Sequence, residues 1–173
     1  MSRKIPLIRT QFEVYVNGGL SLLGLAEVTL PSLEGLAETL TGAGIMGEIE
    51  AIVTGHFSAS TTTLNFRILY GSILDYPVGS SQRFDLRSAI EVEDTATYVK
   101  TVVKDRWSIT GPIKTINPGT VGAASQADAS IDIATRRIQH WSDGVEKLLY
   151  DPLNNIYTIN GVDMYAGIRA AIS

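Results

Sequence analysis

A two-residue rhythm of apolar and polar side chains runs through the middle of the chain and constrains its fold more than any motif. Leu64, Phe66, Ile68 and Tyr70 alternate with Thr63, Asn65, Arg67 and Leu69. Phe84, Leu86, Ile90 and Val92 stand against Arg83, Asp85, Arg87, Glu91 and Glu93. Val99, Val103, Trp107 and Ile109 stand against Tyr98, Lys100, Lys104, Arg106 and Ser108. A fourth run sets Ile131 and Ile133 opposite Ser130 and Asp132 and continues through Arg136 and Arg137 towards Trp141. Successive side chains of an extended strand point to opposite faces, so each run predicts a strand with one dry and one wet face. Strands of a parallel sheet are buried on both faces; these fit antiparallel sheets that close on themselves. The predicted fold is mainly β, an antiparallel β-barrel or sandwich of two packed sheets with long connecting loops and a C-terminal α-helix.

Shorter strands flank the four runs. Phe12 to Val16 leads into Asn17-Gly18, which predicts a hairpin turn before the apolar segment ending at Leu30-Pro31. Ser142-Asp143-Gly144 predicts a second turn, opening into Val145 to Tyr150. Two connections are long. Residues 32–54 are glycine-rich with weak periodicity, and residues 115–129 hold Asn117-Pro118-Gly119 and Gly122-Ala123-Ala124-Ser125. Loops of that length in a compact domain usually carry function or are ordered by a partner. A helix is predicted over 160–172, with Asn160 as N-cap and Asp163 in the first turn. Its stripe of Tyr165, Ile168 and Ile172, with Met164 and Ala171 beside it, requires a sheet or a neighbouring subunit to cover it.

With 173 residues the chain is expected to be a single domain, 1–173, large enough for a real core. Only 18% of residues are charged and the mean hydropathy is +0.13, which points to surface covered by oligomer contacts. A net charge of −4 and a pI near 5.1 argue against a broad phosphate-binding face. The absence of cysteine excludes disulfides, thiolate metal sites and cysteine catalysis. Met1 to Pro6 carries two basic residues but no apolar run of signal-peptide length, and the greasiest stretch, Leu20 to Ala26, is too short to span a bilayer. Synthesis in the cytoplasm without stable membrane association is the expectation.

Gly42-Ala43-Gly44-Ile45-Met46-Gly47 spells G-x-G-x-x-G, the pattern of a dinucleotide-binding loop. Such a loop needs a long helix after it and an acid about 20 residues on for the ribose. Here Glu48 to Val53 is short and breaks at Thr54-Gly55, and Arg67 occupies the place of the acid. The glycines instead predict a mobile or tightly bent connection, and a nucleotide-binding enzyme is a remote alternative.

The other chemical candidates are equally sparse. His56 and His140 lack any Ser/His/Asp spacing or H-E-x-x-H pattern, so they read as satisfied or solvent-facing. Glu91, Glu93 and Asp94 form a charged rim without the spaced ligands of a calcium loop. Arg83, Arg87, Lys100, Lys104 and Arg106 are interspersed with Asp85 and Glu91, unlike a one-sided nucleic-acid face, and pair across strands more naturally. No catalytic, cofactor-binding or metal-binding residue is expected, and no cofactor.

Three stretches carry a resemblance: Phe12-Glu13-Val14-Tyr15-Val16-Asn17-Gly18, Val28-Thr29-Leu30-Pro31, and Gly42-Ala43-Gly44-Ile45-Met46-Gly47. Ser142-Asp143-Gly144 with Ile159-Asn160-Gly161-Val162-Asp163 adds a terminal block. In joint order and spacing the chain resembles the major tail tube protein of contractile-tailed bacteriophages and of related phage-tail-like bacteriocins. It departs from the family pattern between Leu69 and Gly79, where a longer helical excursion is expected. The resemblance implies a structural subunit, not an enzyme, forming hexameric rings that stack into a hollow tube inside a contractile sheath. Its implied partners are copies of itself, the sheath, baseplate and tape-measure proteins, and DNA only as transient cargo. Its implied location is the virion tail or a tail-like particle, made in the host cytoplasm. Residues 32–54 then become an inter-ring arm and 115–129 an inter-ring loop. The contact candidates are Gly42, Ala43, Gly44, Ile45, Met46, Gly47, Asn117, Pro118 and Gly119, with Tyr165, Ile168 and Ile172 packing the helix. A type VI secretion-like tube that carries effectors shares the architecture and is the alternative.

Overall fold

A computed structural model describes residues 3–19, 24–68, 71, 74–123 and 125–172. In chain order the strands are β1 (Lys4–Val16), β2 (Leu25–Thr29), β3 (Gly35–Leu40), β4 (Ile49–Phe57), β5 (Ser60–Phe66) and β6 (Ser81–Asp94). They continue with β7 (Lys100–Asn117), β8 (Ala129–Thr135), β9 (Arg137–Ser142), β10 (Val145–Asp151), β11 (Ile156–Ile159) and β12 (Val162–Asp163), before the helix α1 (Ala166–Ile172). All pairings are antiparallel.

One layer runs β1-β6-β7-β9-β10-β11-β12, and the other runs β2-β5-β8 to the far end of β7. The long strand β7 therefore serves both layers. Its first part pairs with β9 from Asp105↔Ser142 to Thr110↔Arg137, and its last part pairs with β8 from Ile113↔Ile133 to Asn117↔Ser130. The fourth apolar run is thus two strands broken at Arg136, where β7 passes Gly111-Pro112. The layers face each other as a sandwich and do not close into a barrel.

Alternation decides what lies between them. Val14 and Val16 of β1 and Phe84 and Leu86 of β6 meet Leu64 and Phe66 of β5 and Ile131 and Ile133 of β8, all buried. Burial of each such aliphatic or aromatic side chain contributes about 1.5–3 kcal/mol, enough for this cluster to fix the pairing register. The dry face is not uniform along each run. Ile68 and Val99 are exposed beyond the sandwich, and Tyr70 lies outside the described residues.

Several local expectations are corrected. Asn17 and Gly18 do adopt positive φ, but no hairpin follows, because β1 pairs with β6 and β2 pairs with β5. The Asn17 side chain accepts from the Arg83 amide at 3.0 Å and donates to Gln82, tying the end of β1 to β6. Of the apolar stretch 20–26, residues 20–23 lie outside the described set. Residues 32–54 are not an irregular loop: they hold β3 and most of β4, a separate two-stranded sheet. Between Leu69 and Gly79 the described residues make turns, with the Leu74 amide donating to the Gly71 carbonyl. The helix begins at Ala166, not near Asn160. Asn160 and Gly161 both have positive φ and form the turn between β11 and β12. Asp163 ends β12 and accepts from the Tyr165 amide at 2.9 Å, bracing the turn just ahead of the helix. The turn at Asp143-Gly144 does join β9 to β10 as a hairpin.

Candidate assembly interface

The β3–β4 hairpin stands apart from both layers as an arm, and its root is aromatic. Phe57 at the end of β4 meets Tyr150 of β10 at 4.9 Å and Tyr157 of β11 at 5.0 Å between ring centroids. Burial pushes the Tyr150 phenol above its usual pKa. Gly55, at φ +77°, lies under the Tyr165 ring, where an added Cβ would sit 2.7 Å from Cδ2. The backbone can pass only because this residue has no side chain.

Beyond its root the arm is greasy and exposed. Leu40 faces Ile49 across the hairpin, and Leu36 and Val53 lie further back; all four are exposed. Ile52, on the other face, is 71% exposed. Gly42 to Gly47 form the tip, closed by the Ile45 amide donating to the Gly42 carbonyl at 3.1 Å. Gly44 and Gly47 have positive φ, and Met46 projects fully into solvent. This G-x-G-x-x-G leads into a strand, so there is no helix N-terminus to hold a pyrophosphate.

The second loop is self-braced. The Gly119 amide donates to Asn117 Oδ1 at 3.0 Å, and the Thr120 amide donates to the Ala127 carbonyl at 2.8 Å. Pro118 is exposed and Val121 fully so. At the C-terminus Tyr165 packs beside Gly55, just ahead of α1, whereas Ile168 and Ile172 remain exposed with Val162 and Met164 nearby in sequence. Isolated exposed apolar residues are ordinary, but the arm and the terminal segment each carry several, as does the start of β1 with Ile5, Leu7 and Ile8.

Two buried carboxylates, missed by motif search, tie strands of the long sheet together. Asp105 of β7 is 5% exposed and collects Arg9 Nη2 at 2.9 Å, Ser88 Oγ at 3.1 Å, Trp107 Nε1 at 3.3 Å and His140 Nε2 at 2.6 Å. His140 also stacks on Trp107, centroids 4.0 Å apart, so this histidine is a satisfied one. On the opposite face Asp85 is 2% exposed and lies 3.2 Å from both Arg83 Nη2 and Arg106 Nη2. Burial pushes the Asp85 carboxyl up, but Ser108, Arg106 and Arg83 together outweigh it, and the group ends below its ordinary value.

A carboxylate whose folded pKa is depressed contributes stability above its unfolded value and loses it as pH falls through the folded value. Asp85→Asn is therefore expected to be less stable than the unsubstituted chain at neutral pH, with the gap narrowing on acidification below the ordinary carboxylate range. Denaturant midpoints measured across pH check this, and a gap independent of pH would contradict it.

Among the described residues no cluster of His, Cys, Asp or Glu could hold a metal ion, and no helix is long and apolar enough to cross a membrane. The sequence profile of the family described as phage tail tube protein FII matches residues 8–172. The chain belongs to that family. A search of curated proteins found no match. The family is one of structural proteins that assemble into the tube of a phage tail, so this tail tube protein is a virion tail component that associates with itself.

Proposed function

We propose that this tail tube protein forms hexameric rings that stack into the inner tube of a contractile injection machine, inside a sheath and on a baseplate. The single observation that carries this reading is the combination of a two-layer sandwich with a greasy arm that nothing among the described residues covers. In a closed ring the long sheets join around a common axis, which removes exposed strand edges. The wet face of the β1-β6-β7-β9 sheet then surrounds the bore, because its other face is covered by the second layer. Arginines and carboxylates alternate on that wet face, and the subunit as a whole is acidic, so a DNA cargo passes without being held. The arm, residues 32–54, and the loop, residues 115–129, reach neighbouring rings, and Ile168 and Ile172 pack against an adjacent subunit. Function is geometric, with no catalysis or cofactor: rings stack, and sheath shortening drives the tube through the target envelope.

Electron microscopy of the purified protein tests this. Stacked six-fold rings are expected, and a persistent monomer, even beside baseplate partners, would count decisively against it. A headless bacteriocin uses the same subunit geometry, and neighbouring capsid and terminase genes separate it from a phage. Secretion ATPase and membrane-complex genes nearby would favour the secretion-tube alternative instead.

A further inference from the structure

Charge is segregated along this chain. Between Arg9 and Arg67 there is no lysine or arginine, and the ionised side chains there are six glutamates. The rest of the chain holds all 14 Lys and Arg against 12 acids, a small cationic excess. The arm carries Glu38, Glu48 and Glu50, and none of them is in an ion pair among the described residues.

A matching surface exists on the long sheet. β9 ends where Ser142 meets Asp105, while β6 and β7 continue beyond it, and the resulting step is a concavity lined by Arg87, Lys104, Arg106, Trp141 and Gly144, with Ser88 and with Asp105, whose carboxylate is already engaged by Arg9 and His140. Among the described residues Lys104 has no carboxylate partner, and the Arg87 guanidinium lies over the Tyr15 ring, 4.5 Å from its centroid, without an ion pair. Arg106 covers Trp141 at 4.8 Å, and its Nε is buried without a hydrogen-bond acceptor. Two cations without a carboxylate partner among the described residues and an indole wall suit a chain that is acidic and aliphatic.

The arm of the same copy cannot fill it. Phe57 at the arm's root packs on Tyr150, which pairs with Ile138 on the core side of the sheet, whereas Arg106 and Trp141 pair with each other on the opposite side. We propose that the tip of the β3–β4 arm of one copy docks in this step on a second copy. Glu48 and Glu50 meet Arg87 and Lys104 there, and Met46 packs against Trp141. The inference rests on the arm reading given above and adds its receiving site. The step opens on the wet face at the end of the sheet where β9 stops, so an arm from a neighbouring ring meets that face at the mouth of the bore.

Charge exchange tests it. Glu48→Lys with Glu50→Lys, and separately Arg87→Glu with Lys104→Glu, are each expected to reduce tube yield about tenfold or more at low salt. Combining all four should restore much of it. Because the chain has no cysteine, Glu48→Cys with Lys104→Cys gives a second readout that needs no charge reversal. Mild oxidation of assembled tubes should yield a ladder of disulfide-linked multimers. Loss of tubes with the arm variant, but no rescue by the fourfold variant and no ladder, would overturn the docking site and leave the arm reading standing. Tubes indifferent to both the arm and step variants would overturn docking and arm together. Intact tubes from the step variant, with weakened binding of a single-stranded oligonucleotide, would overturn the proposal and assign the step to nucleic acid. An unsubstituted chain that never forms rings would instead sink the tube assembly itself.

Discussion

Gly111→Ala is expected to cost about 3 kcal/mol or more, a large fraction of the roughly 5–15 kcal/mol that holds a typical domain folded. At this position β7 leaves the first layer and enters the second, and the chain segment joining β8 to β9 crosses against it. A Cβ on Gly111 would lie 2.0 Å from the Ala134 carbonyl oxygen and 3.0 Å from its carbon. The obstacle is backbone held by pairing on both sides, since Ile133 pairs with Ile113 and Thr110 pairs with Arg137, so no rotamer change relieves it. Because the crossing couples the two layers, the damage reaches the core through Ile113 and Ile133, both buried. Gly18→Ala is the control. It has φ +75° but nothing within 4 Å of the new Cβ, so it should cost about 1–2 kcal/mol from backbone strain alone. Denaturant melts of the two variants measure the difference. A Gly111→Ala protein within about 1 kcal/mol of the parent would mean that the strands do not cross so closely.

The same crossing explains what was legible in the sequence. The alternation of Phe84-Asp85-Leu86 and Ile131-Asp132-Ile133 marked strands and their dry faces correctly, because burial imposes a period of two on any half-covered sheet. It could not mark partners. Asn17-Gly18 has the local chemistry of a hairpin, but Val14 and Val16 gain more by lying beside Leu86 and Phe84, so long-range burial overrode the turn. Residues 32–54 concealed two strands because neither face of the arm is buried in the subunit, and without a dry face there is no strict alternation to read. Asn160 misled for a related reason: asparagine suits an N-cap and a left-handed turn equally well, and here it takes the turn. The glycine motif failed on context alone, since a strand follows it. As for the surfaces, the exposed tips at Met46 and Val121 lie in the two long connections that composition singled out, whereas the step at Lys104 and Trp141 depends on where β9 ends, which no local signal encodes.

Asp105 shows the remaining gap, and its removal is the second large effect expected. By parity it shares the dry face with Val103, Trp107 and Ile109, an acid at a core-side position that motif search passes over. In the fold it joins four strands at once: Arg9 from β1, Ser88 from β6, Trp107 on its own strand and His140 from β9. Asp105→Ala leaves the Trp107 indole N–H, the Ser88 hydroxyl and the His140 ring without their acceptor in a half-buried place. Arg9, whose side chain is 40% exposed, can return its charge to water, which lowers the cost. The net loss should be about 2–4 kcal/mol. Arg9→Ala and His140→Ala should each cost less, because Asp105 keeps three other partners in either case, and each should cost almost nothing more once Asp105 is gone. That non-additivity is the diagnostic result. If the three substitutions simply add, the cluster is a set of independent contacts, and the long sheet is held together by its backbone ladder and core packing alone.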